Sequence, residues 1–313
     1  MSASKETDYS PLYRFWQPRF WPLLAVLGVL RLMIMLPFRA QLRIGGLLGR
    51  LLFTVMPKRR RIAEINLRLC FPELDESALR QLVRAHSESI GFSLFEFGMA
   101  LWASDARVEK LVTIEGADNI TKTLEQGHGV IILSGHFPAL ELVGREVQKN
   151  RPDMGAMYRP LKNPLMDQLI HRARTNAIPL LIPKDSLRQM IRLLRKGTPV
   201  WYASDQSYNR SNAELVPFFG EPAMTNPALT DIARMGKARV IPFFQYRLAD
   251  GSGYKGTFFP ALENFPTDDP AADAERVHLI LEKWIRTAPE QYYWVHRRFK
   301  NRPEPLMDVY RDV

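Results

Sequence analysis

From residue 112 onward, short runs of β-branched and aromatic residues alternate with longer stretches whose apolar residues recur at helical spacing. This alternation is typical of an α/β sheet whose strands are joined by crossover helices. The predicted strands are Val112–Glu115, Val130–Ser134, Gly155–Tyr158, Leu180–Pro183, Val200–Ala203, Val240–Arg247 and Lys255–Phe259. The predicted helices between them are Asn119–Glu125, Pro138–Lys149, Pro164–Thr175, Ser186–Arg195, Pro227–Met235 and Pro270–Ala288.

Two further helices are predicted upstream of the sheet, at Arg61–Leu69 and Asp75–Trp102. Apolar residues recur at helical spacing through both stretches, and Phe71-Pro72-Glu73 interrupts the pattern between them. Asp75 suits the N-cap of the second helix, because its carboxylate can accept a backbone N–H of the first turn.

The N-terminal part contains an apolar run, Phe20 to Phe38, in which Arg31 is the one charged residue. A helix of this length can just cross a hydrocarbon core of about 30 Å. Trp16, Phe20 and Trp21 would serve as aromatic anchors at one end. We therefore expect a retained membrane-anchoring helix; the alternative is a buried core helix.

A basic cluster follows this run. Between residues 39 and 61 there is no Asp or Glu, whereas Arg39, Arg43, Arg50, Lys58, Arg59, Arg60 and Arg61 are cationic. Within this stretch, residues 44–56 suit a second helix lying on the membrane surface. Cations flank membrane segments on the cytoplasmic side, so the sequence predicts a cytoplasmic catalytic part. We expect a membrane anchor with a basic interfacial segment over residues 1–62 and a catalytic domain over 63–313.

Composition excludes several other classes of protein. The single cysteine, Cys70, rules out an intrachain disulfide framework and a cysteine-rich zinc cluster, and it suits a small buried residue. The formal net charge of +10 favours polyanionic partners. A nucleic-acid partner is not expected, because the sequence contains no helix-turn-helix, zinc-finger or aromatic RNA-binding motif.

One segment carries the candidate chemistry. Residues 129–141 read as a buried strand, a glycine turn, His136 and a helix beginning with Pro138. We expect the imidazole of His136 to fold back onto the Glu141 carboxylate, which would hold one tautomer and stabilise the imidazolium. Such a pair is a general base for a substrate hydroxyl. The alternative is a buried structural histidine beside a surface glutamate; no second His or Cys at ligand spacing suggests a metal.

The HxxxxE box from His136 to Glu141 resembles the catalytic box of the lysophospholipid acyltransferase superfamily. More narrowly, the chain resembles the lauroyl and myristoyl acyltransferases of late lipid A biosynthesis, which act at the inner membrane of Gram-negative bacteria. Gly135 and Glu141 stand where many glycerolipid acyltransferases have Asn and Asp, and both fit the lipid A branch. The blocks that carry the resemblance, in the family's order, are residues 66–73 (NLRLCFPE), 158–160 (YRP), 163–165 (NPL), 201–206 (WYASDQ), 216–220 (VPFFG) and 289–300 (PEQYYWVHRRFK).

The resemblance implies a mixed sheet flanked by helices, as in glycerolipid acyltransferases, behind an N-terminal anchoring helix. It implies transfer of an acyl chain from acyl carrier protein to a hydroxyl of a Kdo-bearing lipid A precursor. His136 would deprotonate the hydroxyl and Glu141 would orient His136. The resemblance calls for no metal or redox cofactor. The rival enzyme is an acyl-CoA-dependent lysophospholipid or glycolipid acyltransferase, and the non-enzymatic rival is a basic membrane-binding protein.

The resemblance also implies substrate-binding residues. Arg159 would bind phosphate or stabilise the developing oxyanion, because a guanidinium is always charged; the alternative is a surface arginine. Asp205 and Gln206 end an apolar strand, where α/β folds collect functional groups. We expect them to support the site or contact substrate, or else to cap a loop. We expect either contact with acidic partners or a solvated basic tail for four residues near the C-terminus: His296, Arg297, Arg298 and Lys300.

Overall fold

A computed structural model describes residues 12–150, 153–183 and 186–313. It contains a seven-stranded sheet and a separate two-stranded hairpin, surrounded by helices. The strands are β1 Val112–Glu115, β2 Gly129–Ser134, β3 Gly155–Tyr158, β4 Leu180–Pro183, β5 Val200–Ala203, β6 Glu214–Phe218, β7 Glu221–Thr225, β8 Ala238–Arg247 and β9 Tyr254–Phe258. All seven predicted strands are confirmed to within two residues at either end.

The α-helices are α1 Trp21–Met33, α2 Phe38–Val55, α3 Pro57–Cys70, α4 Glu76–Trp102, α5 Asp105–Leu111, α6 Asp118–Glu125, α7 Leu140–Asn150, α8 Pro164–Ala177, α9 Leu187–Arg195, α10 Ala228–Gly236 and α11 Pro270–Thr287. The predicted helices upstream and between strands are present. Asp75 caps α4 as predicted, because its side chain accepts the backbone N–H of Ala78 at 2.7 Å.

The sheet has the order β1-β9-β8-β2-β5-β3-β4. Five neighbouring strands are parallel: β8, β2, β5, β3 and β4. β9 is antiparallel to β8, and β1 is parallel to β9. The predicted α/β fold with a mixed sheet is therefore confirmed. Because β2, β5 and β3 are parallel neighbours, their carboxyl ends meet at one edge of the sheet.

The central strand β2 is buried on both faces, and this explains its unbroken apolar sequence. Ile131 and Leu133 pack into the core on one side of the sheet, whereas Val130 and Ile132 pack into the core on the other side. All four side chains are at most 1% exposed. Burial of this kind contributes about 1.5–3 kcal/mol per side chain, so β2 is a firm base for the residues that follow it.

The apolar N-terminal run, Phe20 to Phe38, forms a shorter helix than predicted. α1 ends at Met33, and α2 begins directly after Pro37. Proline disfavours the helical conformation of the residue before it, so the two helices do not join into one. The open carbonyls of Ile34 and Leu36 accept hydrogen bonds from Gln41 and Arg107. The predicted single helix from Phe20 to Phe38 is therefore wrong. Within residues 12–150, 153–183 and 186–313, no helix combines the length and the hydropathy needed to cross a bilayer.

Three glycines bring α2 against α4. A Cβ at Gly49 would lie 1.9 Å from the carbonyl oxygen of Ser87, and a Cβ at Gly91 would lie 1.9 Å from that of Gly45. Both approaches are far shorter than van der Waals contact, so this crossing requires glycine. The division into residues 1–62 and 63–313 stays a prediction, although α2 packs directly on the proposed second part.

The hairpin of β6 and β7 was not predicted. Its strands pair antiparallel, from Glu214 opposite Thr225 to Phe218 opposite Glu221. The turn consists of Phe219 and Gly220, both with positive φ, which is the conformation that tight hairpin turns require. Pro217 and Pro222 face each other across the hairpin and hide the usual strand signal.

Candidate active site

Three parallel strands deliver candidate residues to one edge of the sheet. Gly135 and His136 follow β2, Asp205 and Gln206 follow β5 after Ser204, and Arg159 follows β3. Since the order there is β2-β5-β3, Asp205 comes from the strand beside that of His136, and Arg159 comes from the next one. Adjacent strands lie about 4.8 Å apart, so all of these residues emerge within about 10 Å.

The backbone turns sharply between His136 and Glu141. Ala139 has a φ of 64°, a left-handed conformation that alanine rarely adopts. Helix α7 consequently begins at Leu140, and not at Pro138 as predicted, with Glu141 in its first turn. Ala139 also closes the helix start, because its carbonyl accepts the N–H of Val143 at 2.8 Å.

Asp205 holds His136 through both of its carboxylate oxygens. Oδ1 lies 2.6 Å from the imidazole Nδ1, and Oδ2 accepts the backbone N–H of His136 at 2.8 Å. The Asp205 side chain is 1% exposed, whereas that of His136 is 38% exposed. A carboxylate at Nδ1 fixes a proton there, so Nε2 is left as the hydrogen-bond acceptor. The imidazole therefore has the orientation and tautomer of a general base.

The electrostatics of this pair support the same conclusion. Burial opposes the charged imidazole, but the charge and hydrogen bond of Asp205 outweigh it, so the pKa of His136 is raised above its ordinary value. Burial likewise opposes the charged carboxylate, but the charge and hydrogen bonds of His136 outweigh it and hold the pKa of Asp205 well below its usual range. Asp205 is thus a permanent anion that stabilises an imidazolium.

Glu141 has a different partner. Its Oε1 accepts a hydrogen bond from Nη2 of Arg174 on α8 at 2.9 Å. The prediction that Glu141 is the carboxylate on the imidazole nitrogen is therefore corrected, because Asp205 occupies that position and Glu141 is paired with Arg174. A catalytic contribution of Glu141 stays a prediction, and its negative charge does act to raise the pKa of His136.

Gly135, the residue before His136, has close neighbours on several sides. A Cβ at this position would lie 3.4 Å from Asp205 Oδ2, 3.2 Å from Leu281 and 3.0 Å from Phe137. For any larger residue, the side chains of Phe137 and Leu281 would have to shift by a few tenths of an ångström, whereas 3.4 Å from Asp205 is ordinary van der Waals contact. The glycine before the histidine is thus matched to these two apolar neighbours.

Arg159 and Gln206 are exposed at the same edge. Among the described residues, the structure records no ion pair for Arg159. Binding of substrate by Arg159 and Gln206 stays a prediction. Asp205, also predicted to contact substrate or support the site, has its carboxylate engaged by His136.

The C-terminal segment forms a wall of the site. The backbone N–H of Tyr293 donates to the carbonyl of His136 at 3.2 Å, and the hydroxyl of Tyr292 donates to the carbonyl of Asp205 at 3.4 Å. His296 accepts the N–H of Ser207, and burial lowers the pKa of its imidazole to about 4. Tyr292–His296 therefore supports the active edge of the sheet.

Arg298 was predicted to contact acidic partners or to lie in a solvated tail, and it does neither. It is 2% exposed and donates to the carbonyl of Met224, to the hydroxyl of Thr225 and to His278 Nε2. These contacts tie the segment to the β6–β7 hairpin. The block at residues 289–300 is thus partly structural.

Arg174 was not singled out from the sequence. It lies 33 residues after Glu141, on another helix, and no local pattern marks it. Among the described residues, no group of three or more His, Cys, Asp or Glu side chains could hold a metal ion. The prediction that no cofactor is needed stays a prediction.

Comparison with known proteins assigns the chain to a family. The family model described as bacterial lipid A biosynthesis acyltransferase matches residues 11–301. The solved 1-acyl-sn-glycerophosphate acyltransferase PlsC from Thermotoga maritima has a TM-score of 0.38 and 11% identity, covering 80% of this chain and 97% of that chain.

Two relatives from Escherichia coli (strain K12) match almost end to end. The lipid A biosynthesis lauroyltransferase is 37% identical over 294 residues, covering 94% of this chain and 96% of the relative. The lipid A biosynthesis palmitoleoyltransferase is 38% identical over 300 residues, covering 95% and 96%. The chain that carries the His136–Asp205 pair belongs to the bacterial lipid A biosynthesis acyltransferase family.

Proposed function

We propose that this acyltransferase moves a fatty acyl chain, of lauroyl or myristoyl type, from acyl carrier protein to a hydroxyl of a Kdo-bearing lipid A precursor. The observation that carries the proposal is the hydrogen bond between Asp205 and Nδ1 of His136, which makes Nε2 the acceptor nitrogen of a partly exposed imidazole. Such a base suits a reaction in which the substrate's own hydroxyl is the nucleophile.

The reaction then follows from the pair. His136 Nε2 takes the proton of the acceptor hydroxyl while that oxygen attacks the thioester carbonyl, and a tetrahedral oxyanion forms. The imidazolium is stabilised by Asp205 until the carbon–sulfur bond breaks. The proton then passes from Nε2 to the departing thiolate, so that an ester and a free thiol are the products. Neither a serine nor a cysteine nucleophile is needed.

Arg159 is our candidate for the group that binds anionic charge. It leaves the sheet two strands from His136, and its guanidinium is exposed and always charged. A phosphate of the glycolipid acceptor, or the oxyanion of the tetrahedral intermediate, suits such a group. Loss of Arg159 would therefore weaken acceptor binding, or lower the rate of the chemical step, without changing His136.

We further propose that the enzyme is seated on the cytoplasmic face of the inner membrane by α1 and α2 lying in the membrane surface. No Asp or Glu occurs from residue 9 to residue 63, although this stretch contains ten Lys and Arg residues. Apolar side chains more than half exposed, with cations around them, suit an anionic lipid surface. They form the lipid-facing surface, made of Trp16, Trp21, Val26, Val29, Leu32, Met35, Leu47, Leu51 and Val55.

Mass spectrometry of lipid A from cells lacking this protein tests the proposed reaction. Wild type supplied in trans should restore the missing acyl mass, whereas His136→Ala and Asp205→Asn should not. Restoration by His136→Ala would refute the proposed chemistry. An unchanged lipid A, together with acyl-CoA-dependent activity on a lysophospholipid, would favour the rival acyltransferase.

A further inference from the structure

A second ion pair lies beside the His136–Asp205 pair. Arg174 Nη2 and Glu141 Oε1 are 2.9 Å apart, and their side chains are 25% and 23% exposed. The two residues come from different helices, α8 and α7, so their contact depends on how those helices pack. The Arg174 guanidinium also lies 5.7 Å from the centroid of the Tyr158 ring, and the hydroxyl of Tyr158 donates to Asp167. Arg174 is thus held from two sides.

We propose that Arg174 is a positioning residue of the acyl-transfer site: its guanidinium holds and neutralises the Glu141 carboxylate, so that His136 faces one uncompensated carboxylate, that of Asp205. This inference rests on the proposed role of His136 as the base. Arg174 acts through Glu141, and it needs no contact with substrate.

The reason lies in the balance that a general base requires. A carboxylate near an imidazole favours the charged form, and two uncompensated carboxylates would favour it more strongly. An imidazole that is already protonated cannot accept the proton of a hydroxyl. Arg174 opposes protonation of His136, whereas Glu141 favours it. The ion pair therefore keeps the base available over a wider range of pH.

Other charged groups near His136 come from several elements, and one of them is the exposed Arg159, which follows β3 at the same edge of the sheet. Asp205 follows β5, and the C-terminal segment contributes His296, whose imidazole burial keeps neutral near pH 7. On α4, the buried Glu96 is already paired with Arg247 of β8 at 2.6 Å. Trp201 on β5 contributes an uncharged ring, 6.3 Å from the imidazole. Among these described carboxylates, Glu141 is the one that pairs with Arg174. Arg174 therefore offsets the effect of Glu141 on the pKa of His136.

The test is an NMR titration of the full-length protein, labelled with 13C-histidine and held in detergent micelles. The His136 signal is assigned by its loss in His136→Gln. We expect Arg174→Gln to raise the pKa of His136, Arg174→Lys to leave it near the wild-type value, and Glu141→Gln to lower it. Arg174→Gln combined with Glu141→Gln should return it toward wild type. The exposed Arg80→Gln is the matched control and should change nothing.

An unchanged or lowered pKa in Arg174→Gln would overturn the inference. Should that variant fail to fold, Glu141→Gln decides, because it must lower the pKa. In the acylation assay, the rate of Arg174→Gln relative to wild type should be about threefold lower below pH 7 than above pH 9, while Arg174→Lys should show no such difference. The titration needs no turnover, so the two proposals fail separately: a wild-type enzyme inactive on lipid A precursors would refute the function, and an unchanged His136 pKa in Arg174→Gln would refute the role of Arg174.

Discussion

Replacing Asp205 by asparagine changes one atom and should disable the base. In the native site one carboxylate accepts two hydrogen bonds, from Nδ1–H at 2.6 Å and from the backbone N–H of His136 at 2.8 Å. An amide has one acceptor oxygen and one donor nitrogen in their place. If the oxygen keeps the backbone N–H, the NH2 group faces Nδ1 and forces the imidazole proton onto Nε2. The nitrogen that should receive the substrate proton is then occupied.

The size of the effect follows from these contacts. The opposite rotamer of the amide restores Nδ1–H as a donor but sets two donors against each other at the backbone N–H. A lost hydrogen bond to a charged group costs about 1.5–3 kcal/mol, which is about a 10- to 150-fold change in an equilibrium. General-base catalysis is worth about 10²–10⁴ in rate. We therefore expect kcat/KM of Asp205→Asn to fall by about 10²–10⁴-fold.

The assay is acyl transfer from acyl carrier protein to a lipid A precursor in mixed micelles, with purified enzyme kept below its melting temperature. Asp268→Asn, a matched change at a fully exposed carboxylate, should retain wild-type activity. Activity of Asp205→Asn within tenfold of wild type would refute the reasoning, because the wrong tautomer could not support catalysis at that level.

Three further predictions concern pH, packing and membrane attachment. Because the pKa of His136 is raised, its imidazole becomes neutral only at a pH above the ordinary histidine pKa of about 6.5. The kcat/KM should therefore rise with pH through an inflection above about 6.5, and an inflection below that value would contradict the Asp205 pairing. Gly91→Ala should destabilise the protein by about 1–3 kcal/mol or more in thermal unfolding, because its Cβ would clash with Gly45, whereas Gly28→Ala, with nothing within 4 Å, should be neutral or stabilising. Replacing Val29, Leu32 and Met35 by glutamine should reduce flotation with anionic vesicles by about tenfold or more; equal flotation of this variant and of one with the exposed Leu187, Leu279 and Met307 changed to glutamine would exclude the lipid-facing surface.

Much of the fold could be predicted because its signals are local. β2 is apolar at every position from Val130 to Leu133, and turn residues bound it on both sides. Helix α4 is predicted by its N-cap residue, Asp75, and by a long apolar stripe at helical spacing. The break after α1 was harder to predict, because its carbonyls are satisfied by Arg107, more than 70 residues away.

His136 as the base stays a prediction, and the carboxylate at its Nδ1 is Asp205 and not Glu141 as predicted. Glu141 is the carboxylate nearest to His136 in the sequence. No local pattern predicts that Asp205, 69 residues later, contacts the imidazole. That contact depends on β5 pairing beside β2, which is a property of the sheet order. The left-handed Ala139 was equally hidden, because alanine carries no sequence signal for that conformation.

The central claim is most directly tested by mass spectrometry of a reconstituted reaction that contains the purified enzyme, an acylated carrier protein and a Kdo-bearing lipid A precursor. Wild type should add the mass of one acyl chain to the precursor and release an equal amount of carrier-protein thiol, and His136→Ala should do neither. A precursor of unchanged mass with wild-type enzyme, or an equal gain with His136→Ala, would contradict the account.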